Sequence, residues 1–130
     1  MILVDSSCYI SWMRAGRNPI RVLQSHLLAG TLVSCPIIRV EVLRGILKPR
    51  VREQMLEFFE TVPEVPLDAT VVERAWRLGW ELDRGGRVLP VTDLLIGACA
   101  LRSHAAVVSK DPHFAGIPGL EVHTAFPTNA

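Results

Sequence analysis

The sequence predicts an α/β domain, a three-layer α/β/α arrangement around a largely parallel sheet of four or five strands. Two observations carry this. Short apolar runs, Ile2-Leu3-Val4, Leu32 to Cys35 and Val107-Val108-Ser109, alternate with longer stretches in helical spacing, the signature of strand–helix–strand units. The chain is also the size of one domain, 130 residues of which 49% are hydrophobic, enough for one sizeable core but not two.

Taken in order, Ile2-Leu3-Val4 reads as a buried strand ending at Asp5. Ser6 and Ser7 are good caps for a helix over about residues 7–15. Asn18-Pro19 starts a second helix, with Ile20, Leu23, Leu27 and Leu28 at helical spacing and Gly30 as its stop. Leu32 to Cys35 is a second strand, stopped by Pro36. Residues 37–47 form a helix with Glu41 at its middle, and after Pro49 another runs to about Glu60. Val62 to Leu67 reads as a proline-punctuated, short or edge strand. Asp68 caps a helix that runs to about Arg84 and closes on Gly85-Gly86. Pro90 introduces the helix containing Asp93, Val107 to Ser109 is a strand leading to Asp111, and Leu120 to His123 is the last strand. Residues 1–126 form the single domain, and Pro127 to Ala130 is expected to fray.

Composition excludes several classes. The formal net charge is +1, so there is no global basic excess of the kind that announces a nucleic-acid binder, and any RNA contact must use locally placed cations. Cys8, Cys35 and Cys99 sit among apolar neighbours with no metal-ligand spacing, which reads as buried free thiols in a reducing compartment. No basic leader precedes the first apolar run, and no stretch approaches membrane-spanning length. The expectation is a cytoplasmic protein without membrane association.

The chemistry lies in four acids set among hydrophobes: Asp5, Glu41, Asp93 and Asp111. Ionised carboxylates are rarely buried without a partner. Sites in open parallel sheets form outside the carboxyl ends of strands, where Asp5 and Asp111 fall. Asp93 opens a core helix that starts at the same edge, and Glu41 reaches it from a crossover helix. Four such acids repel one another unless a cation lies between them. All-oxygen ligation suits Mg²⁺ or Mn²⁺ rather than zinc. Each acid also has a plainer role: a helix cap for Asp5, a pair with Arg44 for Glu41, a first-turn dipole partner for Asp93, and a turn for Asp111-Pro112.

Four segments, Ile2-Leu3-Val4-Asp5-Ser6-Ser7, Glu41-Val42-Leu43-Arg44-Gly45, Asp93-Leu94-Leu95-Ile96-Gly97-Ala98 and Ser109-Lys110-Asp111-Pro112-His113-Phe114, together resemble a PIN domain, and more narrowly the VapC toxins of bacterial toxin–antitoxin pairs. The resemblance implies a PIN-like fold and Mg²⁺- or Mn²⁺-dependent endonucleolytic cleavage of RNA, with Asp5, Glu41, Asp93 and Asp111 as the catalytic metal-holding quartet. Ser7 and Ser109 resemble the family's supporting hydroxyl positions, and Ser109-Lys110-Asp111 stands where Thr-Arg-Asp is usual. The implied substrate is structured RNA such as tRNA or rRNA. The implied partners are a cognate antitoxin and a second copy of the chain. The alternative is a non-catalytic PIN module that docks RNA or protein.

Further basic positions bear on RNA. Arg39, Arg44, Lys48, Arg50 and Arg52 surround the Glu41 helix, and Lys110 and His113 flank Asp111. Of these, Arg44, Lys48, Lys110 and His113 are the RNA-contact candidates. Arg84 and Arg87 border Gly85-Gly86 at the rim. Trp76 and Trp80, four residues apart on one helix, are expected to pack. The resemblance places Tyr9 and Trp12 on the helix that meets antitoxin or second subunit.

Overall fold

The computed structural model of the chain describes residues 1–126. Four strands, β1 (Ile2–Val4), β2 (Leu32–Val33), β3 (Ala106–Val108) and β4 (Val122–His123), form one sheet in the order β2-β1-β3-β4. Every neighbouring pair is parallel. Ile2 stands opposite both Leu32 and Ala106, and Val4 opposite Val108. The helices are α1 (Ser6–Arg14), α2 (Pro19–Leu28), α3 (Pro36–Arg44), α4 (Pro49–Thr61), α5 (Ala69–Arg84) and α6 (Val91–Ser103), followed by a 3₁₀ turn at Pro112–Gly116.

β1 and β3 are buried at every residue, which is why their sequences read as unbroken apolar runs: a parallel sheet covered on both faces has no polar side. Leaving β1, the chain passes to β2 on one side and later to β3 on the other. The strand order therefore reverses between β1 and β3, where open parallel sheets form their sites.

Proline and capping chemistry account for the helix starts. Pro19, Pro36 and Pro49 each occupy a first-turn position, where a missing N–H costs nothing. Asn18 and Asp68 cap α2 and α5 by accepting from Ile20 and Val71 backbone N–H groups at 3.0 and 2.9 Å. The serine caps expected for α1 are not used, because the helix begins one residue earlier and Asp5 is its N-cap. The helix expected over residues 37–47 ends at Arg44, with Gly45 as its cap.

Other expectations are corrected. Residues 62–67 form no strand. Only Ser34 and Glu64 bridge, through Ser34 N–H to Pro63 O and Val65 N–H to Ser34 O, both 2.9 Å. Pro63 and Pro66 lack the N–H groups that would extend the ladder. Tyr9 and Trp12 lie on the first helix, α1, as expected, with Tyr9 fully buried, edge-on to Trp12 and Phe58 and packed on Phe59. Trp76 and Trp80 do not pack into the core but stand 55% and 56% exposed beside Val72. Cys8, Cys35 and Cys99 are buried free thiols, as expected. The fraying expected of 127–130 concerns residues outside those described. Among the described residues, no helix is long and apolar enough to cross a membrane.

Two helical glycines bring the site's elements together. A Cβ on Gly79 of α5 would lie 2.8 Å from Leu94 Cδ1, and one on Gly97 of α6 would lie 2.7 Å from Ile117 Cδ1. A glycine within a helix costs up to about 1 kcal/mol against alanine. Here it permits α5 to press on α6 next to Asp93, and α6 to press on the segment after the 3₁₀ turn that carries His113.

Candidate metal centre

The carboxyl ends of β1 and β3 are locked together by Asp5 N–H donating to Val108 O at 2.9 Å. From this point the chain places the expected acids one by one. Asp5 is 4% exposed. Its Oδ2 accepts from Ser109 Oγ at 2.9 Å and, at 3.4 Å, from the Ser7 N–H. Ser109 Oγ accepts from the Asp111 N–H at 2.9 Å and lies 3.3 Å from Ser7 Oγ, which in turn accepts from the Lys110 N–H at 3.1 Å. The two hydroxyls thus tie the start of α1 to the segment leaving β3. Both residues expected to support the acids are in contact with the acid-bearing segments. Lys110 Nζ donates to Ser11 Oγ at 2.8 Å.

Asp93 is 8% exposed, in the first turn of α6, where the helix dipole favours negative charge. Asp111 caps the 3₁₀ turn, its Oδ1 accepting from the His113 N–H at 2.9 Å. His113 Nδ1 lies 2.8 Å from Asp93 Oδ2 and 3.0 Å from Asp111 Oδ1. Donor atoms of Asp93, Asp111 and His113 all fall within 4.8 Å of one another. Glu41, on α3, is half-buried and accepts from Ser6 Oγ at 3.2 Å.

Electrostatics show that the four acids share one field. Burial pushes the Glu41 carboxyl above its usual range, with Asp5 and Asp93 adding to the rise while Ser6 and Arg44 oppose it. Burial likewise raises Asp93, reinforced by Asp111 and Asp5 and opposed by His113. The hydrogen bond to Asp93, with Asp111 beside it, raises His113. Like charges forced together and partly dried disfavour ionisation, and a divalent cation relieves that repulsion. The donor set, chiefly carboxylate oxygen, fits an oxygen-preferring ion.

The structure draws Asp93 and Asp111 together with His113 and sets Asp5 and Glu41 beside them. Three features escaped the sequence reading. Ser6 holds Glu41, Ser11 holds Lys110, and His113 faces both acids rather than solvent alone. The Asp-Ser-Ser run was the only sequence signal for the first. Arg39 is committed elsewhere, its Nε 2.9 Å from Glu64 Oε2.

Residues 2–120, which build this edge, match a known family, the PIN domain. The chain belongs to the PIN domain family. It is 29% identical over 119 residues to ribonuclease VapC11 of Mycobacterium tuberculosis, covering 88% of this chain and 89% of that protein. Among solved structures, this PIN domain superposes on DNA-bound VapBC from Salmonella typhimurium with a TM-score of 0.78 at 20% identity, over 94% and 96% of the two chains. A toxin–antitoxin complex from Klebsiella pneumoniae gives 0.70 at 24% identity, over 92% and 95%. These likenesses span nearly the whole chain and establish the fold.

Proposed function

We propose that this PIN domain is a metal-dependent endoribonuclease, the toxin of a toxin–antitoxin pair, cleaving phosphodiester bonds in structured RNA such as tRNA or rRNA. The observation that carries the reading is the gathering of Asp5, Glu41, Asp93 and Asp111 at one sheet edge, where Asp5 and Asp93 are buried and burial, with neighbouring carboxylates adding to it, disfavours the charged forms of Glu41 and Asp93. A module that only binds RNA gains nothing from clustering carboxylates against a polyanion. The ribonuclease relative supports RNA as the polymer that is cut.

The four acids would hold Mg²⁺ or Mn²⁺. When bound, such an ion supplies Lewis acidity at a phosphodiester oxygen and a nucleophile at neutral pH. Ser109 and Ser7 fix the Asp5 carboxylate against the β3 exit, so the carboxylate is oriented before any ligand arrives. Lys110, Arg44 and Lys48, all exposed, offer local positive charge for the RNA backbone.

The partners follow the same reading. A cleft of about 750 Å³ is floored by apolar side chains, among them Ile10, Met13, Ile20 and Met55, with Arg14, Arg17 and Lys48 also lining it. Its chemistry suits an amphipathic, acid-bearing segment of an antitoxin. The exposed α5 stripe of Val72, Trp76 and Trp80 suits a second copy of the chain.

The test is cleavage of total RNA by the purified chain with Mn²⁺ or Mg²⁺, against EDTA and Asp5→Ala and Asp93→Ala variants. Discrete fragments requiring both metal and acids are expected. Intact RNA at high protein excess under every metal, with RNA binding unchanged by metal, would replace the nuclease with a binding module.

A further inference from the structure

We infer that His113 Nδ1 is itself a ligand of the metal, which makes the centre a mixed nitrogen–oxygen site that favours Mn²⁺ over Mg²⁺. The inference rests on the metal-dependent reading above and adds to it a donor that the acidic quartet lacks.

Geometry carries the argument. In an octahedral site with metal–ligand bonds of about 2.1 Å, neighbouring donors are about 3.0 Å apart, the bond length times √2. His113 Nδ1 stands 2.8 Å from Asp93 Oδ2 and 3.0 Å from Asp111 Oδ1. Both spacings match that edge, and one donor atom from each of Asp93, Asp111 and His113 lies within 4.8 Å of the other two. The ring joins the coordination sphere by a turn about its side-chain torsions: with its proton on Nε2, the imidazole swings the Nδ1 lone pair by about 45° from the present hydrogen-bond axis to Asp93 into the space between the two carboxylates.

The ring is also held in place. Pro112 opens the 3₁₀ turn, the His113 N–H is tied to Asp111 Oδ1 at 2.9 Å, and Phe114, the next residue, is fully buried. Ile117, closely packed over Gly97, anchors the turn's far end to α6, the helix that carries Asp93. A surface histidine with no role would be free to turn away, whereas this one is directed by its own backbone toward two carboxylates from different elements.

The consequence is selectivity. Mg²⁺ strongly prefers oxygen and gains little from imidazole, whereas later first-row ions accept nitrogen readily. Replacing one oxygen donor or water by Nδ1 tilts the centre toward Mn²⁺.

The experiment is electron spin-echo spectroscopy of Mn²⁺ bound to the full chain, with ¹⁴N- and ¹⁵N-histidine-labelled protein, alongside Mn²⁺ and Mg²⁺ titrations of the wild type and His113→Gln. The expected result is a directly bonded histidine nitrogen in the wild type and none in His113→Gln. The variant's Mn²⁺ affinity should fall about 10-fold or more, with Mg²⁺ affinity changing less than about 3-fold. Circular dichroism checks that the variant folds, and the wild-type spectrum decides the question even if it does not. Mn²⁺ bound without nitrogen coupling, or an unchanged Mn²⁺-to-Mg²⁺ ratio in a folded variant, overturns the role of His113 alone. A wild-type chain that binds neither ion overturns it together with the metal-dependent reading.

Discussion

Two regions of this molecule depart from the burial pattern in opposite senses. At the carboxyl edge of the sheet, charged groups are drawn inward: Asp5 and Asp93 are 4% and 8% exposed. Along α5, large apolar groups are turned outward, Trp76 and Trp80 more than half exposed, each roofed by an arginine guanidinium at 4.8 Å. The first arrangement costs desolvation and repulsion, and the second forgoes burial of some of the largest apolar side chains in the chain. A cation would relieve the first and an apolar partner the second. The two reliefs differ in kind, so they can be separated by experiment.

The largest effect belongs to the acids. Asp93→Ala should lower RNA cleavage by about 10²–10³-fold or more, the scale of removing one preorganised group that stabilises developing charge. The fold should survive, as judged by circular dichroism. Cleavage within a few-fold of the wild type would break the assignment of this edge as the reacting centre.

Ser109→Ala sharpens the same side of the comparison. Ser109 donates to Asp5 and accepts from Asp111 N–H, so its loss leaves a buried carboxylate without its closest donor. Groups that orient ligands typically matter 10–100-fold in metal affinity or activity, and a Mn²⁺ affinity reduced by about that factor is expected. Unchanged affinity would reduce the hydroxyl network to a structural link between α1 and the β3 exit.

How much of this was legible in the chain divides along the same line. The acids could be read from the sequence because an acid inside an apolar run is anomalous wherever it is placed: Asp5 after Ile2-Leu3-Val4 and Asp93 before Leu94-Leu95-Ile96. The strand–helix alternation gave the fold for a similar reason, since β1 and β3 are buried on every side. The tryptophans could not be read that way. Val72, Trp76 and Trp80 have the spacing of a packed helix face, but α5 spends Val71, Ala75, Leu78 and Leu82 on the core instead, and both sets keep helical period. Nor could the role of His113 be seen, because it depends on a 3₁₀ turn aiming a ring at Asp93, a residue 20 positions away.

The apo protein's pH dependence tests the raised carboxyls. Glu41 and Asp93 hold protons more tightly folded than unfolded, so between the ordinary carboxylate range and their raised values the native state binds more protons, and stability falls as pH rises. His113 is raised as well. Its contribution is complete below about 6.5, the ordinary histidine value, and is lost as pH climbs through its raised value, the same direction. In EDTA the melting temperature should therefore decline from about pH 5 toward pH 8, and saturating Mn²⁺ should reverse the trend by binding the ionised acids. Glu41→Gln should raise the apo melting temperature by a few degrees, since a ΔΔG of about 1 kcal/mol moves a domain of this size about 2–8 °C. Asp93 has His113 against it, but among the described residues Glu41 has only a hydroxyl within hydrogen-bond reach. A flat profile in EDTA would mean that neither burial nor the neighbouring acids raise these carboxyls.

The smallest effect on stability is expected at the tryptophans, where the informative readout is association. Exposed residues outside special sites change stability by about 0.5 kcal/mol or less, and Trp76 and Trp80 lie outside the core cluster. A Trp76→Ser/Trp80→Ser chain should thus unfold in denaturant with nearly wild-type free energy once both are compared as monomers. If the α5 stripe joins two copies, the interface is isologous, so each substitution is felt twice, once from each subunit. Light scattering at micromolar concentration should then show a dimer for the wild type and a monomer for the double variant. RNA cleavage per chain reports whether pairing also serves the metal edge. A wild-type monomer would remove the second copy as the occupant of this face. A dimer untouched by the two substitutions would move the interface elsewhere and leave the exposed stripe to the antitoxin.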